Sequence, residues 1–72
     1  MKTLEQISTR AHKLYSQLEL GAFFDLYHDK MLYMVEEIDM LDDDDTAYAE
    51  DLLAECEAII KAQKILNNVN IK

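Results

Sequence analysis

The sequence predicts an all-α protein, a single domain of three helices over residues 1–72, and three observations carry that prediction. The 72 residues include no proline and one glycine, so there is little from which to build strand turns. Leu, Ala, Glu, Lys, Gln and Met, which lose least on entering a helix, are abundant. Apolar positions recur in steps of three and four, the period of one helix face. Half of the residues are hydrophobic, enough for a folded chain despite a net charge of −8. A chain this short buries only about 60% of its unfolded surface, so a homodimer is expected to complete the core.

The first helix is expected over about residues 3–20. Thr3 and Gln6 form a T-x-x-Q capping box, and Leu4, Ile7, Ala11, Leu14 and Leu18 make one dry stripe. Two signals compete at its end. Gly21 suits a left-handed C-terminal stop, whereas Ser16 and Glu19 make a second capping box stapled by Tyr15 and Leu20. Either choice leaves almost no loop, so a tight corner into the second helix is expected in preference to a relaxed antiparallel hairpin.

The second helix, about 22–41, is the most hydrophobic and carries two stripes. One runs through Phe24, Tyr27, Met31, Met34 or Val35, Ile38 and Leu41, and the other through Phe23, Leu26, Tyr33 and Met40. The second stripe is spare once the first is buried, which motivates the dimer. The third helix is expected over about 45–67, capped by Asp44 or Asp45, with Ala49, Leu52, Leu53, Cys56, Ile59, Ile60 and Leu66 inside. Its acids come first and Lys61 and Lys64 last, as the helix dipole favours, and Glu57 and Lys61 are spaced to pair. Residues 68–72 are expected to fray, with Val69 and Ile71 available to dock on a partner.

A single cysteine and the opening MKTLEQ, which lacks an apolar signal core, point to a cytoplasmic protein. No apolar run approaches the roughly 18 residues a membrane helix needs, so no membrane partner is expected. The acidic balance also disfavours direct nucleic-acid binding, which needs clustered Lys and Arg.

The most informative feature is the distribution of charge. Residues 31–60 hold eleven of the fifteen acidic residues and no Lys or Arg. Part of this has a local reason: Asp44 or Asp45 can cap the third helix, its first turn favours carboxylates, and four consecutive Asp break a helix. That account fails for Glu36, Glu37 and Asp39. They fall in the last turns of the second helix, where the dipole penalises negative charge by about 0.3–1 kcal/mol each, with no cation close in sequence. The partner-binding candidates are therefore Glu36, Glu37, Asp39, Asp42, Asp43, Asp44, Asp45, Glu50, Asp51 and Glu55, with Tyr33 and Met40 as apolar anchors.

Other constellations are weaker. IDMLDDDDTAYAE has oxygens for calcium but lacks the alternating ligands and central glycine of a helix-loop-helix calcium site. Asp25 and His28 are spaced like helix-bundle metal ligands, with His12 and Glu5 or Glu19 the only further donors. Cys56 sits on the dry face between acidic neighbours, which oppose a reactive thiolate. No phosphate loop or nucleophile with a base can be assembled, so a non-enzyme without cofactor or metal is expected.

The function expected is that of an inhibitor or modulator that binds a basic, nucleic-acid-binding protein by presenting carboxylates where phosphates would lie. Phages and plasmids commonly encode acidic decoys of this type. The alternative is a small adaptor or antitoxin-like assembly protein that binds through the apolar face of the second helix and is acidic only for solubility.

Overall fold

Thr3 opens the first helix as its capping box requires. The Gln6 N–H donates to Thr3 Oγ1 at 3.2 Å, and the Thr3 N–H donates to Gln6 Oε1 at 3.0 Å. A computed structural model describes the backbone of residues 3–70 and the side chains through Asn67. Among the described residues the chain forms α1 (Leu4–Ser16), α2 (Ala22–Asp39) and α3 (Thr46–Asn70), all helical and without strands. A 3₁₀ turn at Asp43–Asp45 leads into α3.

Contacts far apart in sequence set the topology. Ser8 and His12 of α1 meet Asp39 at the end of α2, so these two helices are antiparallel. Arg10 meets Glu57, and Gln17 meets Gln63, so α3 runs parallel to α1. The result is an up-down-up bundle measuring 46 × 22 × 15 Å, its length set by the 25 residues of α3.

The core forms where the three expected stripes meet. Ile7, Ala11, Leu14 and Leu18 pack against Met31, Met34, Val35 and Ile38, and both rows pack against Ala49, Leu52, Leu53, Cys56, Ile59 and Ile60. Ile7, Met31, Val35, Ile38 and Cys56 are fully buried. Each large aliphatic side chain so placed contributes about 1.5–3 kcal/mol through removal from water. Leu4, Phe23, Phe24, Tyr27 and Leu41 close the edges of this core.

Three expectations are corrected. The junction of α1 and α2 is an antiparallel hairpin and not a tight corner: α1 stops at Ser16, and residues 17–21 cross to α2. Gly21 does adopt a positive φ of 141°, but as the residue that starts α2 and not the one that stops α1. The amide of Gln63 makes the crossing possible, because it donates to Gln17 O at 3.0 Å and accepts from the Glu19 N–H at 2.8 Å. Those bonds satisfy connector backbone groups that a helix would otherwise have to satisfy.

The N-cap also moves. Asp42, in extended conformation, begins the 3₁₀ turn, its side chain makes no capping bond, and its carbonyl accepts from Asp45 N–H at 2.9 Å. Asp44 and Asp45 therefore lie inside the first turn and do not cap it. The last correction concerns α3, which continues to Asn70, past its expected end near residue 67. Its buried face takes in Gln63, while Leu66 is 46% exposed because α1 has ended beside it. The side chains of Val69 and Ile71, expected to dock, lie outside the described residues.

Candidate functional site

The antiparallel turn between α2 and α3 gathers the acidic third of the sequence at one end of the bundle. The C-terminus of α2 and the N-termini of α1 and α3 all converge there. Two of these ends carry the positive pole of a helix and one the negative, so the acids of this end are on balance favoured by the helix dipoles. Leu4, Glu5, Ser8, Ile38, Asp39 and Asp43 line a shallow hollow between the helices. Glu5 thus joins the cluster, which its position in the sequence did not suggest.

Asp39 is the most constrained acid. One carboxylate oxygen accepts a hydrogen bond from Ser8 Oγ, and the other lies 2.8 Å from His12 Nε2. The Ser8 hydroxyl chiefly holds the Asp39 carboxyl below its usual range; burial opposes it, and His12 lowers it further. These partners supply a reason for negative charge at the end of α2 that near neighbours in sequence could not: Asp39 braces α2 to α1. Sequence reasoning passed over Ser8 and weighed His12 only as a metal donor, not as a partner of Asp39. Their spacing of four residues, alongside Ile7 and Ala11 at the edge of the core stripe, was the available signal.

Ser8, His12 and Asp39 do not form a nucleophilic triad. In such a triad the histidine stands between serine and carboxylate so that it can take the hydroxyl proton. Here the carboxylate stands between the other two.

The three acids near the end of α2 point in different directions. Asp39 faces α1, as its partners show. Glu37 is half-buried and lies two heptads from Phe23, which borders a hollow with Gln63 and Leu66 of α3. It therefore lies on the flank of α2 between its outward face and α3. Glu36 is exposed on the outward side of α2 with Tyr33 and Met40.

Asp42, Asp43, Asp44 and Asp45 are all exposed, as are Glu50, Asp51 and Glu55. Glu50 lies seven residues before Glu57, on the α1 side of α3, while Asp51 and Glu55 lie together on its other flank. Among the described residues no Lys or Arg lies within ion-pair distance of any of these seven. What the acidic candidates share is one end of the molecule, where they are spread over several sides.

The remaining polar groups serve other contacts. Glu57, expected to pair with Lys61, instead lies 3.5 Å from Arg10 Nε and links α3 to α1. His28 donates from Nδ1 to Phe24 O, stacks on the Phe24 ring and places Nε2 3.0 Å from Asp29. It is far along α2 from the His12 contact, and among the described residues no three His, Cys, Asp or Glu side chains converge to hold a metal. The Cys56 thiol is pushed up to about 11, by burial first and by Glu55 and Glu57 next, which leaves it unreactive. No helix among the described residues is long and apolar enough to cross a membrane.

No protein-family model matches the chain, and comparison with curated proteins and with solved structures finds no match.

Proposed function

We propose that this protein binds a basic surface of a partner protein through the acidic end of its bundle, in competition with the nucleic acid that surface otherwise holds. One observation carries the reading: Asp42–Asp45, Glu50, Asp51 and Glu55 are exposed together and, among the described residues, without cationic partners. A rigid helical end of this kind steers a basic partner over a distance of about one Debye length and loses its hold as salt rises. Asp39 contributes by keeping α1 and α2 in register, so the carboxylates presented to the partner are Glu36 and those from Asp42 onward. The setting that suits such a decoy is the cytoplasm of a host cell, with the gene carried by a phage or plasmid.

The test is capture from host lysate with the tagged protein, eluted by stepwise salt. A nucleic-acid-binding protein that elutes early and is displaced by added DNA is the expected outcome. Asp43→Asn, Asp44→Asn, Glu50→Gln and Asp51→Asn, combined, should abolish capture without unfolding the bundle, since all four side chains are exposed. Capture that survives high salt and these substitutions would refute the reading.

A second reading, an adaptor that binds through α2, is favoured by the exposure of Leu26, Tyr33 and Met40. It predicts capture that resists salt and is lost in Tyr33→Ser or Met40→Ser. Sedimentation of the free protein tests the homodimer that the spare stripe suggested.

A further inference from the structure

The outward face of α2 has an order that the acidic end lacks. Leu26, Tyr33 and Met40 recur every seven residues, and residues so spaced drift only about 20° per step around a helix. They are 74%, 63% and 81% exposed, so the row is a continuous apolar line on the surface. Asp29 and Glu36 fall between them at the complementary heptad positions, and both are exposed. The face thus reads apolar, acidic, apolar, acidic, apolar over five positions half a heptad apart, which is the layout of one side of a two-helix seam.

From this layout we propose that the outward face of α2 docks a basic amphipathic helix of the partner protein. The proposal rests on the reading that the partner is basic and names the element it offers. A helix with Leu, Ile or Met along one line would cover Leu26, Tyr33 and Met40. Lys or Arg on the same face would meet Asp29 and Glu36, which otherwise become buried carboxylates without counter-charges.

A second copy of this chain fits less well. Parallel pairing sets Asp29 against Asp29 and Glu36 against Glu36. Antiparallel pairing about Tyr33 sets Asp29 against Glu37, and Lys30, which then meets Glu36, leaves that acidic contact uncompensated. Lys30 is the single Lys or Arg on α2 to offset either arrangement. The charge pattern of the seam therefore selects a basic partner over self-association.

The probe is a fluorescein-labelled synthetic helix of about three heptads, with Leu at each seventh position and Lys or Arg at the intervening seam positions. A scrambled peptide of the same composition has equal charge but no apolar row. Binding is read by anisotropy and mapped by amide chemical shifts on the full chain, with circular dichroism confirming that each variant is folded.

The expected result is that the ordered peptide binds, with shifts gathered between Leu26 and Met40. Leu26→Ser or Tyr33→Ser should weaken binding by about tenfold or more, as loss of a central anchor does. Asp29→Asn with Glu36→Gln should weaken it by a similar factor, and Asp43→Asn with Asp44→Asn should change it by less than about twofold. Equal binding of the scrambled peptide, with shifts at residues 42–51, would overturn the inference while leaving the acidic-end reading intact. Failure of the ordered peptide to bind would overturn it as well, as would a stable dimer in which α2 covers its own copy.

Discussion

Replacing Gln63 with alanine should loosen the bundle at the end away from the acids. The side chain is 3% exposed and makes two hydrogen bonds with the connector, to Gln17 O and from the Glu19 N–H. Leaving a buried donor or acceptor unpaired costs about 1–3 kcal/mol, and water can reach these half-buried partners in part, so the low end of the range applies to each. The loss comes to about 2 kcal/mol, against a total stability on the order of 4–10 kcal/mol for a chain of this size. In urea, with a slope of about 1 kcal/mol per molar, the far-UV circular dichroism midpoint should fall by about 2 M. Gln63→Leu separates the causes because it keeps most of the volume and removes both bonds. A midpoint for Gln63→Ala within about 0.5 M of the parent, or full recovery in Gln63→Leu, would refute the assignment of this stability to hydrogen bonding.

Gly21→Ala should cost about 1–3 kcal/mol, although nothing lies within 4 Å of an added Cβ, because a φ of 141° with extended ψ is open only to glycine; an unchanged urea midpoint would contradict this. Asp39→Asn should alter the acid limb of the stability profile. The Asp39 carboxyl is held below its ordinary 3.8, so its contribution is whole above that value and fades as pH falls through the lower folded value. The stability gap between parent and variant should therefore shrink as pH falls through and below about 3.8, and a gap that widens there would show the sign to be wrong. Native Cys56, displaced from 9.0 to about 11, should react with a disulfide reagent about 100-fold more slowly at pH 8 than the urea-unfolded chain, and burial adds to that factor. Equal rates in the two states would place the thiol on the surface.

The helical faces were legible because each repeats within the chain itself. Ile7, Ala11 and Leu14, then Met31, Val35 and Ile38, then Leu53, Cys56 and Ile60, are all spaced to share a side and are all buried. What could not be read locally depends on distant partners. Gly21 was recognisable as a residue needing special backbone freedom, but whether it ends α1 or begins α2 depends on a connector held from far along the chain by Gln63. Asp39 looked unexplained because its partners, Ser8 and His12, lie on another helix. Leu66 kept the apolar period of α3 yet is exposed, since periodicity does not say where a neighbouring helix stops. The acidic candidates were visible as a group from composition, but their dispersal over several sides of one end is a property of the hairpin.

The parallel pairing of α1 with α3 sets the order in which the chain can assemble. α2 meets α3 across a short acidic turn, and α1 meets α2 across the connector, so both pairings close small loops. The Arg10–Glu57 and Gln17–Gln63 contacts join residues far apart in the sequence and close much larger loops. Helical bundles with mostly local contacts fold in microseconds to milliseconds, and the distant pairings bear the greater entropy of closure. The seating of Gln63 against the connector is therefore the natural last step of folding, and Gln63→Ala should speed unfolding far more than it slows refolding.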